Sequence, residues 1–290
     1  MSVEAIDALR LGLGRDGRRV PAHEALGVAM QDVSVGAAVS RLASGAHVVD
    51  ASGTLLPGAL AVLADTCCGT AVASALSGGA ATVTAQMRVE FVRPVPATTR
   101  WAEGRAEADV VDDEGGLARG EILDDRDDLL AVASMRALRA AGGPSRQPAD
   151  SRVAARAGAD PPHLPDGLPV HDLLAVSGRT FAAGRASWTC MPDERTANSF
   201  AAMHGGVVAY LAHLVATDAQ SSLLGPDEQL MPLDLVVNYY RAVTVGDIWQ
   251  AAAEVTHRGR RFVVAEGEIA PPGGGVAVRF SVGGQIRQLR

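Results

Sequence analysis

The residues of this chain best suited to chemistry are one acid and one pair of glycines. Asp65 stands in a run of alanine, leucine and valine from Ala59 to Leu63 and beyond. A buried, unpaired carboxylate is costly there, and such a setting is where pKa values are tuned. His204-Gly205-Gly206 precedes a second apolar run beginning at Val207. Glycine at the start of a buried helix leaves backbone N–H groups at its positive end, where a developing oxyanion is stabilised. An acid that activates water and an N–H that holds an oxyanion form a hydrolytic or acyl-transfer pair. Cys67 and Cys68 follow Asp65 but have no base near them in sequence, so they read as core filler.

These two stretches are related by an internal repeat at a fixed offset of 148 residues. Gly58 matches Gly206, Leu63-Ala64 matches Leu211-Ala212, Arg93 matches Arg241, Val95 matches Val243, and Trp101 matches Trp249, without a gap. A period this long describes one domain of about 100–150 residues present twice. The copies differ where chemistry would sit. Asp65 is replaced by His213, and His204-Gly205-Gly206 is replaced by Leu56-Pro57-Gly58. That pattern predicts one whole site shared between the copies. The counterpart residues, Leu56 and Pro57 in one copy and His213 in the other, lack the acid and, at Pro57, the N–H, and read as a relic. His213 on an apolar helix reads first as a core or interface residue. Arg93 and Arg241 recur in both copies and read as structural.

The elements that must position these residues follow from periodicity. The first ~20 residues read as a helical lead-in ending near Pro21. Two strands follow from Val28 to Val49. A buried helix opens at Pro57-Gly58 and continues to Leu76. From Thr82 to Val92 the pattern alternates, with Val83, Ala85, Met87, Val89 and Phe91 on one face and Thr84, Gln86, Arg88 and Glu90 on the other. Strands at Trp101–Val111, Leu117–Asp124 and Ala131–Leu138 complete the first copy. The second repeats the order, with two strands in Val176–Met191, a helix from Gly205 to Leu224, and strands from Leu233, Trp249, Arg261 and Ala277. The predicted fold is α+β, with each sheet wrapped around one long helix, since a helix apolar on all sides needs cover on all sides. The expected domains are residues 1–139 and 168–290, with a linker over 140–167 rich in Ala, Gly, Pro, Asp and Arg.

Composition narrows the function. The net charge is −7, and every basic residue among the 26 Lys+Arg is arginine, which argues against a nucleic-acid partner. The longest apolar run, Leu55 to Leu76, carries Asp65 near its centre and is not expected to span a membrane. Three cysteines, two of them adjacent, make no disulfide framework, and no Cys/His cluster has metal-ligand spacing. No basic-then-apolar leader is read, so a cytoplasmic location is expected.

The run Asn198-x5-His204-Gly205-Gly206-x4-Leu211-Ala212 is similar to the signature of hotdog-fold acyl-CoA thioesterases of the phenylacetyl-CoA thioesterase-like branch. In the first copy Leu63-Ala64-Asp65 supplies the acidic end of that signature, and Thr84-x6-Phe91-x-Arg93-Pro94 resembles the strand that follows. The resemblance covers nearly the whole chain as two tandem hotdog modules forming an intramolecular pair. It implies a site between modules, with Asn198, His204 and Gly205 from the second and Asp65 and Thr84 from the first. Asp65 would be the general base or, less favoured, a nucleophile. Gly205 would supply the oxyanion N–H. Gly206 would contact the substrate. Asn198 also reads as a turn residue and Thr84 as a strand residue.

Acyl-CoA is the implied substrate, with CoA part of it and no metal or other cofactor needed. Arg258, Arg260 and Arg261 lie in a turn equivalent to the acidic turn Asp112–Gly116 of the first copy; they are expected to meet CoA phosphates, the other reading being a solvated hairpin turn. Two other classes stay open. One is a non-catalytic acyl-CoA binder or sensor. The other is a hotdog hydratase or dehydratase, disfavoured because Thr70 stands where that branch places a His five residues after the Asp. Pairing of whole chains into a homo-oligomer is also open.

Overall fold

The alternating and apolar segments assemble as the periodicity predicts, and the details that differ decide the site. A computed structural model describes residues 3–12, 19–77, 80–140 and 168–289. The expected linker lies outside the described residues except for Ala140. The lead-in contains helix α1 (Val3–Arg10), and Pro21 begins a second short helix, α2 (Pro21–Leu26). Strands β1 (Val28–Ser34) and β2 (Ala37–Ala43) precede a turn at Pro57–Ala59 and the central helix α3 (Leu60–Ala75). Strands β3 (Thr82–Phe91), β4 (Trp101–Asp112), β5 (Gly115–Asp124) and β6 (Leu129–Arg139) follow. The second copy contains α4 (Pro169–Leu173), β7 (Val176–Ala182), β8 (Arg185–Cys190), central helix α5 (Gly205–Ser221), β9 (Glu228–Tyr239), β10 (Trp249–Arg258), β11 (Phe262–Ala270) and β12 (Val278–Gln288).

All twelve strands form one antiparallel sheet in the order β1-β2-β4-β5-β6-β3-β9-β12-β11-β10-β8-β7. The second half of that order mirrors the first. The halves join where β3 pairs with β9, from Gln86 opposite Asn238 to Glu90 opposite Asp234. Adding 148 to Gln86 gives Asp234, the partner of Glu90, and adding it to Glu90 gives Asn238, the partner of Gln86, so the repeat is also the symmetry of the fold.

The sheet wraps both central helices. Pro57–Ala75 is apolar and long enough by composition to cross a bilayer, yet most of it is buried within this fold. Cys67 and Cys68 are buried, as core residues should be. Gly104 and Gly120 let the strands approach them. A Cβ on Gly104 would lie 3.0 Å from Cys67 Sγ, and one on Gly120 3.4 Å from Cys68 Sγ. The helices run antiparallel and touch through their N-terminal halves. A Cβ on Gly206 would meet Val62 Cα at 2.5 Å, and one on Gly58 would meet His213 and Tyr210 at 2.9 Å. Glycine at both symmetry-related positions is what lets the backbones come this close.

One expectation about β3 is corrected. Simple alternation put Thr84 on the face of Gln86, away from Met87. The pairing of β3 with β6 slips between Thr84 and Gln86, leaving Ala85 as a bulge. An extra residue reverses the facing of everything before it. Val83 is therefore 42% exposed, and Thr84 turns toward α3. The second copy bulges at the matching place, where β12 skips Leu233 between Asp234 and Pro232.

Candidate active site

Asp65 lies on α3, buried, with its carboxylate facing the start of α5. Gly206 donates its N–H to Asp65 Oδ2 at 2.8 Å, and Thr84 donates its hydroxyl to Oδ1 at 2.6 Å. His204 Nδ1 is 3.2 Å from the same Oδ2. Burial pushes the Asp65 carboxyl above its ordinary range, opposed by the Thr84 and Gly206 hydrogen bonds. Burial disfavours the ion and the donors favour it. A carboxylate has about four acceptor positions, so the Gly206 and Thr84 donors leave room for others, such as a water.

Gly205 is built for close approach. A Cβ there would sit 2.9 Å from both Asp65 carboxylate oxygens. Its carbonyl accepts the Tyr239 hydroxyl at 2.8 Å, which fixes the peptide. Among the described residues its N–H has no hydrogen-bond partner, and Gly205 lines the cavity described next. That N–H is at the positive end of a helix of 17 residues.

A cavity of about 690 Å³ opens over these groups. One wall follows α3 through Asp65, Gly69, Thr70 and Ala73, faced by Thr82 and Thr84 of β3. Residues Ala8, Leu9 and Gly12 cover that end. The other end is lined by Asn198, Ser199, Phe200, Tyr240 and Arg241.

The structure thus brings together Asp65, Thr84, His204, Gly205 and Gly206. Asn198 lines the same cavity, but its side-chain oxygen accepts from the N–H groups of Phe200 at 2.8 Å and Ala202 at 3.2 Å. This makes it the former of the turn that leads into α5. Arg258, Arg260 and Arg261 are not brought to the cavity. Arg258 donates to Glu228 Oε2 at 2.6 Å, at the start of β9, whereas Tyr239 at the other end of β9 reaches Gly205. Eleven steps along the strand put those ends roughly 35 Å apart. The acidic turn lies at the C-terminal end of α3, where Ser77 donates to Asp113 at 3.2 Å. Antiparallel helices that meet at their N-terminal halves carry their following turns apart, so the two turns do not share a mouth. Arg93 and Arg241 both bond to hairpin carbonyls, Arg93 to Leu129 at 2.8 Å and Arg241 to Gly275, in keeping with their structural reading.

Three contributors were not singled out from the sequence. Tyr239 anchors Gly205. Thr66, beside Asp65, donates to the Val62 carbonyl at 2.8 Å and lies 3.2 Å from His23 Nε2. His23 lies 3.2 Å from His204 Nε2. A signal for His23 exists, because the 148-residue offset extends upstream. Pro21-Ala22-His23-Glu24 matches Pro169-Val170-His171-Asp172.

The reciprocal position is filled. Where the first copy has Thr66, Gly69, Thr82 and Val83, the second has the larger Leu214, Thr217, Leu230 and Met231. Asp218, in the place of Thr70, accepts two hydrogen bonds from Arg179 and one from Trp188 Nε1, all at 2.7 Å. His213 packs edge-on against Phe91 with centroids 5.4 Å apart. Its Nε2 is buried without a partner, and burial lowers its pKa to about 4.

A model of the thioesterase superfamily matches residues 52–108 and 200–278. The first segment holds Asp65 and Thr84, and the second holds His204, Gly205 and Gly206. Each module thus carries one segment similar to the thioesterase superfamily, and the fold is that of a tandem hotdog protein.

Solved structures agree on the fold. Acyl-CoA thioesterase II TesB2 from Mycobacterium marinum is 16% identical, with 92% of this chain and 97% of that one covered at a TM-score of 0.58. A tesB protein from Mycobacterium avium subsp. paratuberculosis is 14% identical, covering 92% and 99% at 0.59. A hot dog fold protein of unknown function from Alicyclobacillus acidocaldarius is 12% identical, covering 90% and 97% at 0.62. Curated protein sequences gave no match.

Proposed function

We propose that the chain hydrolyses an acyl-CoA thioester to free acid and CoA at the single composite site. The observation that carries this reading is the Asp65 carboxylate of one module beside Gly205 of the other, whose N–H has no partner among the described residues, in one cavity wall. Similarity to an acyl-CoA thioesterase II supports the choice of thioester. The thioester carbonyl oxygen takes the Gly205 N–H. Asp65 accepts a proton from a water that attacks the carbonyl carbon. The tetrahedral oxyanion is held by the fixed N–H at the helix end, a donor of a kind worth about 3–4 kcal/mol. Collapse breaks the C–S bond, and the proton on Asp65 leaves with the thiolate. Thr84 and Gly206 keep the carboxylate oriented, and His204 supports the same oxygen. Asn198 shapes the turn before α5. The chemistry needs only water and the substrate's own CoA.

The test is release of free thiol from short, medium, long and aryl acyl-CoAs, with wild type beside Asp65→Asn. Hydrolysis by the wild type that is lost in the variant supports the reading. Binding of acyl-CoA without any release moves the protein to the binder class.

A further inference from the structure

The hydrogen-bonded chain around Asp65 begins outside both segments matched by the thioesterase model, at His23 of α2. We propose that His23 is a positioning residue, which fixes the proton of His204 on Nδ1 and aims it at Asp65. The proposal rests on the reading of Asp65 as the base.

The direction of each bond follows from its neighbour. The Thr66 hydroxyl donates to the Val62 carbonyl at 2.8 Å, an acceptor that never titrates. Its oxygen is then left to accept, and the group facing it at 3.2 Å is His23 Nε2. His23 therefore carries its proton on Nε2. That nitrogen is also 3.2 Å from His204 Nε2, and two N–H groups cannot point at each other. His204 Nε2 is then an acceptor that shares this one proton with Thr66 Oγ1, and a neutral His204 holds its own proton on Nδ1, 3.2 Å from Asp65 Oδ2. The Gly206 N–H is within hydrogen-bond reach of both Asp65 Oδ2, at 2.8 Å, and His204 Nδ1, at 3.2 Å; in the tautomer proposed it bonds Asp65 alone. In the other tautomer a lone pair on Nδ1 would face the carboxylate.

His23 is held in place to do this. Pro21 starts α2, the Ala22 N–H donates to the Ala197 carbonyl of the second module at 3.1 Å, and the two imidazole rings meet edge-on with centroids 5.0 Å apart. The repeat supplies a control within the molecule. His171 occupies the matching place in α4. There it accepts the Leu168 N–H at 3.0 Å and packs edge-on against Trp188. The same residue that caps its own helix in the second copy is turned toward His204 in the first. Both imidazoles stay neutral near pH 7, since burial lowers His23 to about 3 and His204 to about 4. The titratable groups facing Asp65 are His23, His204, Tyr239 and Cys68, and those facing His23 are His204 and Asp65.

The experiment is the pH profile of kcat and KM on the best acyl-CoA for wild type, His23→Phe, His23→Gln and Asp65→Asn, with the melting temperature of each. His23→Phe is expected to lower kcat about tenfold with KM nearly unchanged, and to move the acidic limb up by about one pH unit. His23→Gln, which keeps an N–H donor, should recover most of kcat and return the limb. If His23→Phe does not fold, Thr66→Val removes the oxygen that orients His23 and should shift the limb in the same direction. Wild-type kcat and limb in His23→Phe, with Asp65→Asn dead, overturn this inference alone. A His23→Gln variant as impaired as His23→Phe, with an unmoved limb, also overturns it by leaving only space-filling. Full turnover in Asp65→Asn removes the base assignment and this inference with it.

Discussion

Asp65 Oδ2 accepts the Gly206 N–H at 2.8 Å across 141 positions of sequence, from the helix of one module to the helix start of the other. The bond exists because α3 and α5 touch backbone to backbone at Gly206. The symmetry-related contact pairs Gly58 with His213, where no carboxylate is present. Two equivalent interfaces in one chain have thus diverged, one keeping an acid beside an open cavity and the other packed shut.

Gly205 and Gly206 should respond differently to alanine. Gly205→Ala sets a methyl 2.9 Å from both Asp65 oxygens, so kcat should fall about 100-fold or more with little change in melting temperature. Gly206→Ala meets the Val62 backbone at 2.5 Å, and separating the helices should cost about 1–3 kcal/mol of stability. Thermal melts beside kinetics separate the two.

Thr84→Val keeps the shape of the side chain and removes the 2.6 Å donor to Asp65. Asp65 should then ionise at higher pH, moving the acidic limb of kcat upward and lowering kcat about tenfold at neutral pH. Thr84→Ser should stay near wild type. A pH–rate profile reads both.

Much of this was legible in the sequence, and the reasons for the exceptions are local. The repeat, the two apolar helices and the complementary placing of Asp65 and His204-Gly205-Gly206 follow from residue type and spacing. The facing of Thr84 does not, because a bulge at Ala85 leaves no mark in an alternating pattern. The arginine turn misled because chain position says nothing about which end of an antiparallel helix pair a turn occupies. Asn198 has the right type for either role, and only its bonds to Phe200 and Ala202 decide that it forms a turn. His23 was legible through its match with His171, but only if the repeat is followed upstream of the helices.

Acid should destabilise the fold through buried histidines. The His23, His204 and His213 pKa values are lowered from 6.5 to about 3, 4 and 4. The unfolded chain binds these protons first, so stability is full above about pH 6.5 and is lost as pH falls toward 4. Asp65, raised by burial, opposes this, since its protonation relieves a buried charge. His213→Leu should remove up to about 3 kcal/mol of the loss at pH 4 and leave turnover near wild type. Melting temperature from pH 7 to pH 4 for both proteins checks it.

On the proposed reading one acid, Asp65, serves one site built from both modules. The decisive measurement is thiol release from the best acyl-CoA for wild type and Asp65→Asn, with acyl-CoA binding followed in parallel. A loss of kcat of about 1,000-fold or more is expected in the variant, with folding and binding retained. An Asp65→Asn protein that turns over near the wild-type rate would contradict it.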